Sequence, residues 1–341
     1  MKSNIFPIKY RIIQAPMAGG IITPNFVAQV CNSGMLGFIP AGYLDITTLE
    51  DFILKTKSNL NQDSLFGVNL FLESNRDSEQ IFNKSTTLIN LEQNLGLEEM
   101  DTFKVPPTIS ESKYVNLMIK HSVPIVSCTF GFFNQDSIAK LKQNNIKIIG
   151  NATNIEELGF CLANGADAVI LQGVEAGGHQ ASFLSNEINT KTTLELLVSS
   201  RDLYKDATII SAGGISLRNF CNYLRYGADY VQLGTAFMLT HQSNISESAK
   251  EYMVKHQIST SLTKSITGKW ARGVANELMS QLEYQYVYPF PIQHYATSRL
   301  RLESKAQQNP EYMSLWAGSN LNNFKIMDLD DLISSLIQAL K

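Results

Sequence analysis

The sequence predicts an α/β chain: a (β/α)8 TIM barrel carrying an additional, mostly helical lid or insertion domain. Three observations lead there. Eight short apolar runs each lead into a helical pattern, the order expected of parallel strands joined by crossover helices. One helix-to-strand junction recurs: Asn164-Gly-Ala-Asp-Ala-Val-Ile-Leu171 resembles Tyr226-Gly-Ala-Asp-Tyr-Val-Gln-Leu233, with 62 residues between Gly165 and Gly227. That offset is two strand-helix units of about 31 residues. Finally, the GxGxxG of a dinucleotide-binding doubly wound sheet is missing after the first strand, where Ala15-Pro-Met-Ala-Gly-Gly20 stands instead.

The elements follow in order. Arg11–Met17 is a short buried strand closed by Pro16. Thr23 is placed to cap a helix that opens with Pro24, whose fixed φ suits the first turn, and runs to Gly34. Leu36–Ile39 is a strand, a helix covers about Thr47 to Lys57, and Phe66–Phe71 is the third strand. From Glu73 to about Ser112 the rhythm breaks. This stretch is polar, holds Pro106-Pro107, and reads as an insertion near 73–113 with some helix. Strand Pro124–Phe130 and helix Gln135–Asn144 resume the pattern. Strand Ile146–Ile149, a helix capped by Asn154 and ending at Asn164, and strand Ala168–Gln172 come next. A helix near Thr193 to Tyr204, strand Ala207–Ala212, helix Ser216–Tyr226 and strand Tyr230–Leu233 complete the set. In both copies of the repeat a helix ends at glycine, as a left-handed C-cap requires. Residues 1–240 therefore read as the barrel core. Residues 241–341 read as a lid and substrate-side region whose C-terminal segment returns to the barrel.

Composition sets limits on the function. With 44% hydrophobic and 17% charged residues in 341, the chain has material for a large core and no signature of disorder. Lys and Arg number 28 against 31 Asp and Glu, a net charge of −3, which argues against a nucleic acid as main partner. Cys31, Cys128, Cys161 and Cys221 form no CxxC and no Cys/His set with zinc spacing, so no metal is expected. No run reaches the roughly 18 apolar residues of a membrane span, and no apolar leader with a small-residue cleavage site opens the chain. A cytoplasmic enzyme is the expectation.

In such a barrel, chemistry sits where strands end. Ser211-Ala-Gly-Gly-Ile215 and Gln232-Leu-Gly-Thr235 follow the seventh and eighth strands, the usual phosphate site, where a helix start faces the anion and Thr235 adds a hydroxyl. Either loop alone is explained by a tight turn; two in consecutive positions point to a phosphate-bearing ligand. Asn69 and Gln172 end apolar strands, and their amides suit the N–H/C=O edge of a flavin or nucleobase, or else cap turns. His179, in Glu175-Ala-Gly-Gly-His179, lies on the loop after the sixth strand. With an ordinary, near-neutral pKa it can exchange a proton at pH 7; a structural role is the alternative. His121, His241, His256 and His294 read as surface or packing residues, and Cys128 as a buried structural thiol.

Several runs together resemble one family. Gln14-Ala-Pro-Met-Ala-Gly-Gly20, Phe66-Gly-Val-Asn-Leu-Phe71, Ser127-Cys-Thr-Phe-Gly131 and Gln172-Gly-Val-Glu-Ala-Gly-Gly-His179 are similar to motifs of the nitronate monooxygenases, formerly 2-nitropropane dioxygenases. So are Ser211–Ile215, Gln232–Thr235 and Ser314-Leu-Trp-Ala-Gly318, in order along nearly the whole chain. The resemblance implies FMN, with Met17 and Asn69 on the flavin side and Gln172 and Gly177 along the ring or ribityl chain. It implies that Gly214 and Gln232, Leu233, Gly234 and Thr235 hold the phosphate, and that His179 is the active-site histidine. The implied reaction is oxidative denitrification of an alkyl nitronate with O2 to a carbonyl compound and nitrite, a detoxification. A small anion such as propionate 3-nitronate is the implied substrate. Met35 and Ala181 stand where the family often has glycine, which bears on loop shape and substrate. Trp270–Asn276 reads as lid or as a structural Arg/Asn tie, and Tyr284, Tyr286 and Tyr288 as a strand or an aromatic pocket wall. Two rivals stay open: a flavin reductase on the same fold using NAD(P)H (enoyl-ACP reductase or quinone reductase type), and a non-catalytic flavin-binding protein.

Overall fold

The structure, a computed structural model, describes residues 5–72, 76–255 and 258–341. Its strands are β1 (Ile12–Gln14), β2 (Leu36–Pro40), β3 (Phe66–Phe71), β4 (Gln80–Asn83), β5 (Thr102–Val105), β6 (Ile125–Thr129) and β7 (Lys147–Ala152). They continue with β8 (Ala168–Gln172), β9 (Gly178–His179), β10 (Ile209–Ala212), β11 (Tyr230–Leu233), β12 (Thr260–Thr263) and β13 (Ala271–Val274). Eight of these close a parallel barrel in the order β1-β2-β3-β6-β7-β8-β10-β11, with β11 pairing back on β1 (Ile12 beside Val231). The fold is a (β/α)8 barrel.

Pleating divides each strand between two cores. Ile13, Phe38, Ile125, Ile149, Ile170 and Ile210 pack into one inner cluster, closed by Phe6 against Tyr230. Their strand neighbours Ile12, Ile39, Val126, Ile148, Val169 and Ile209 pack outward with the helices. Glycine 67 is needed inside: a Cβ there would stand 2.3 Å from the Phe38 ring. Gly67→Ala is expected to lower stability by about 1–3 kcal/mol through overpacking, read as a reduced urea midpoint. An unchanged midpoint would show that Phe38 can move aside.

The local signals act as the residues suggest. Thr23 accepts from Phe26 N at 3.2 Å with Pro24 in the first turn, and Asn154 accepts from Glu157 N at 2.8 Å. Gly165 and Gly227 have φ of +95° and +103°. Some boundaries differ. β7 extends to Ala152, past the apolar run, because Gly150–Ala152 still pair with β8. The helix expected from Ser216 begins at Phe220, since the Asn219 side chain accepts from Ser216 N at 2.8 Å and closes a turn first.

Additions surround the catalytic end. After β3 the chain forms the antiparallel hairpin β4–β5 around helix Thr86–Asn94, then helix Glu111–Lys120 leads into β6. After β11 and a one-turn helix, Thr235–Met238, come helices Glu247–Val254, Glu277–Leu282, Ile292–Ala296 and Ser298–Ala306. The strands β12 and β13 join β9 in a small antiparallel sheet. A buried ion pair, Lys84 with Glu92 at 2.6 Å, is extended by Arg299 to Glu92 at 2.8 Å and ties the insertion to helix Ser298–Ala306. Thr240 bridges Met327, and the last helix, Leu329–Ala339, sets Leu329, Leu332 and Leu336 into the outer barrel core. The tyrosines fit neither expectation. Tyr284 and Tyr286 are exposed and outside any strand, while Tyr288 packs on Phe82 and Phe103, away from the cavity. No described helix is long and apolar enough to cross a membrane.

Candidate active site

A cavity of about 480 Å³ opens at the C-terminal ends of the barrel strands, a volume suited to a cofactor with a small substrate. Strand ends place Asn69, Thr129, Asn151, Gln172, Ala212 and Gln232 on its wall. Loops add Met17, Gly177, His179, Gly214, Gly234 and Thr235. Of the residues that the sequence assigns to the cofactor and the active-site histidine, only Leu233 is missing from the lining. Its neighbour Gln232 faces inward, so the Leu233 side chain points into the outer core and only its backbone is near the site.

The amides divide into braces and open acceptors. Asn69 Nδ2 donates to Ser127 Oγ at 2.9 Å and Thr129 Oγ1 at 3.1 Å. Gln172 Nε2 donates to His179 O at 3.0 Å and its Oε1 accepts from Ala181 N at 2.8 Å, so this side chain fixes the His179 loop. By contrast, Asn151 Oδ1 and Gln232 Oε1 are buried on the wall without a partner among the described residues. Such orphaned acceptors cost stability unless a ligand donor meets them.

The opposite end is built from glycine. Gly213 and Gly214 have φ of +113° and +65°, open to glycine and strained for other residues. The one-turn helix begins beside them; its first-turn N–H groups lack helical acceptors, and the first is satisfied only at Met238, which donates to Gly234 O at 2.9 Å. Thr235 Oγ1 accepts from Gly318 N at 3.0 Å, docking the segment Ser314–Gly318 over the loops. Gly177 makes that closure fit, because a Cβ there would lie 2.5 Å from the Ala317–Gly318 peptide.

His179 sits in an aromatic enclosure. Its ring centroid is 5.5 Å from Phe130 and Phe290 and 5.6 Å from Trp316. Its backbone pairs with Ala271 of β13, so Trp270–Asn276 is both sheet and tie: Arg272 Nε donates to Val174 O and Asn276 Nδ2 to Pro310 O and Met313 O, each at 2.9 Å. Nε2 of His179 is 2.9 Å from Thr267 Oγ1, whose hydroxyl points to Lys269 O at 3.4 Å. That arrangement places the ring proton on Nε2 and leaves the Nδ1 lone pair without a partner among the described residues. Burial, with Lys269 and Arg301 adding repulsion, lowers its pKa to about 3. This corrects the near-neutral expectation: the imidazole is uncharged at pH 7.

Sequence reading missed one whole wall. His294, expected at the surface or in packing, lines the cavity and stacks on Tyr43 with centroids 4.0 Å apart. Burial and then Arg301 hold its pKa well below the ordinary range. Arg301 and Lys305 also line the cavity, whereas no Asp or Glu among the described residues does. Tyr43 and Phe130, both lining, have φ of +70°, an uncommon state for bulky residues that collects at functional sites. Its only sequence signal was Ser298, Arg301 and Lys305 recurring on one helix face. The other histidines differ: His121 pairs with Glu50 at 2.6 Å, His241 is exposed, and His256 lies outside the described residues. Cys128 is buried, with its thiol held in the neutral form by that burial.

The nitronate monooxygenase family model matches residues 1–339. The chain belongs to the nitronate monooxygenase family. It is thus an oxidoreductase built on a (β/α)8 barrel. A "probable nitronate monooxygenase" of Staphylococcus aureus (strain MRSA252) is 34% identical over 348 residues, covering 99% of this chain and 96% of that protein. Its counterpart from strain JH9 is 35% identical over 351 residues, with the same coverage. Among solved structures, the nitroalkane oxidase of Streptomyces ansochromogenes superposes with a TM-score of 0.87 at 28% identity, covering 98% of this chain and 96% of that one. FabK from Thermotoga maritima shares the fold, with a TM-score of 0.74 at 24% identity and coverage of 99% and 94%.

Proposed function

We propose that this family member is an FMN-dependent enzyme that converts a small anionic nitronate, propionate 3-nitronate being the best fit, with O2 to a carbonyl compound and nitrite. The observation that carries the substrate class is the cavity wall itself: Arg301 and Lys305 face it, and among the described residues no carboxylate side chain lines it. An anion gains there what a neutral or cationic ligand does not. The fit to FMN rests on the open acceptors of Asn151 and Gln232, which suit ring or ribityl donors, and on the Gly213–Gly214 and Gly234–Thr235 backbone, which suits a phosphate. Bound there, FMN would supply the one-electron chemistry toward the nitronate and the route to O2.

The chain's own residues do the rest. Phe130, Phe290 and Trp316 pack around the His179 ring and limit its contact with water. Gln172 fixes the His179 backbone, and Thr267 fixes its tautomer. Nδ1 is the atom left open to a proton: an anion bound beside it raises the basicity that burial lowered, so a proton is taken up from solvent on binding and the imidazolium balances the anion's charge.

The test is a pair of anaerobic mixings with the yellow holoprotein. Propionate 3-nitronate is expected to bleach the flavin absorbance rapidly, and NADH to leave it unchanged over the same minutes. Fast bleaching by NADH would sink this reading in favour of a flavin reductase. A tight flavin complex that releases no nitrite would make the chain a binding protein.

A further inference from the structure

Helix Ser298–Ala306 brings to the cavity a charge that the flavin reading does not use. Ser298, Arg301, Leu302 and Lys305 all line it, at the spacing of one helix face. The guanidinium of Arg301 is held in place: Nε donates to Thr297 Oγ1 at 3.1 Å and Nη2 to His294 O at 2.7 Å. Nη2 also lies 3.3 Å from His294 Nδ1, which the depressed pKa of that ring leaves as an acceptor. Nη1 has no acceptor among the described residues, and none of their carboxylates pairs with this side chain. Burial lowers the pKa of Arg301 to about 10, with only Tyr43 opposing. Even half-buried, as Arg301 is, a cation held without a counter-charge among the described residues is costly. It is retained where a ligand supplies the missing charge.

We propose that Arg301 is a specificity-determining residue that binds a carboxylate on the substrate, so that the enzyme prefers nitronates bearing a distal carboxylate over plain alkyl nitronates. This rests on the nitronate reading above. The planar guanidinium edge left open at Nη1 matches a carboxylate oxygen, and its plane is already fixed by Thr297 and His294, so little ordering is lost on binding. Lys305, exposed on the same face, adds attraction at longer range. Arg301 also depresses the pKa of His179, which places the carboxylate anchor within electrostatic reach of the reacting end.

The experiment compares propionate 3-nitronate with 1-propylnitronate as substrates of the holoenzyme and of Arg301→Met and Arg301→Lys. Arg301→Met is expected to lower kcat/KM for propionate 3-nitronate by about 10- to 100-fold, mainly through KM. For 1-propylnitronate, an anion that lacks the carboxylate, the loss is expected to be about tenfold smaller, and an unchanged flavin spectrum and near-UV circular dichroism show that the variant folds. Arg301→Lys, keeping charge but losing the planar fork, is expected to fall between. Equal losses on both substrates, or none on either, would overturn the assignment. A second measurement separates this from the reaction itself: titration of the flavin spectrum with succinate, an inert dicarboxylate. If no nitronate is turned over but succinate binding still weakens at least tenfold in Arg301→Met, the monooxygenase reading fails and the carboxylate site stands. If turnover is normal and succinate binding ignores Arg301, the site fails and the monooxygenase reading stands.

Discussion

His179→Asn is expected to slow nitrite release by about 100-fold or more, the usual scale for losing a group that stabilises charge at the reacting centre, with FMN still bound. The reasons are local. His179 lines the cavity and is held by Thr267 at Nε2. The Asn151, Gln232 and glycine groups assigned to FMN do not depend on its ring. Its titration adds a second signature. Because burial brings the pKa to about 3, the free enzyme carries a neutral ring through the assay range. Then kcat/KM is expected to show no inflection from this residue between about pH 5 and 8. Stability follows the same shift. The unfolded chain binds this proton near the ordinary histidine pKa of about 6.5, whereas the folded chain resists it down to about 3. The contribution is therefore fully present above the unfolded value and is lost as pH falls through that window. A histidine inflection near pH 6.5 that vanishes in His179→Asn would contradict the buried, neutral ring. Nitrite release indifferent to the substitution would remove the residue from the chemistry.

Glu92→Ala is expected to cost about 3–5 kcal/mol, because it strands a buried cation. Lys84 has a side chain 1% exposed and places Nζ 2.7 Å and 2.6 Å from the two Glu92 oxygens. Arg299, which shares Glu92, loses its partner as well. Thermal denaturation followed by near-UV circular dichroism would show the loss, and a variant within about 0.5 kcal/mol of the parent would mean that water reaches Lys84 once the carboxylate is gone. Helix Ser298–Ala306 carries both Arg299 and Arg301, so loosening it should weaken binding of carboxylated nitronates more than of plain ones.

Much of this architecture is legible in the residues, for identifiable reasons. Parallel strands buried on both faces appear as bare apolar runs, such as Ala168–Leu171, and the strands before Gly213 and Gly234 announce their ends by glycine. A barrel uses its strand ends, so Asn69, Gln172 and His179 could be picked out by position alone. The wall carrying Tyr43, His294 and Arg301 could not. Those residues come from a loop and two lid helices, and their meeting is set by tertiary packing such as the Tyr43–His294 stack. Leu233 shows the limit in the other direction: adjacent residues of a strand face opposite ways, so a contiguous run cannot supply side chains to one ligand. The pKa of His179 was equally hidden, since Phe130, Phe290 and Trp316, which dry it, are distant in sequence.

The return of the chain to the barrel matters for how it is made. β11 is followed by a single helical turn, and the helix that covers this sector is Leu329–Ala339. Residues 241–328 are threaded between the last strand and its covering helix. A ribosome that has released residues up to 240 has therefore delivered all eight barrel strands but not the ring's final apolar stave. Leu329, Leu332 and Leu336 arrive last, and until then the outer core they fill stays open to water and to other nascent chains.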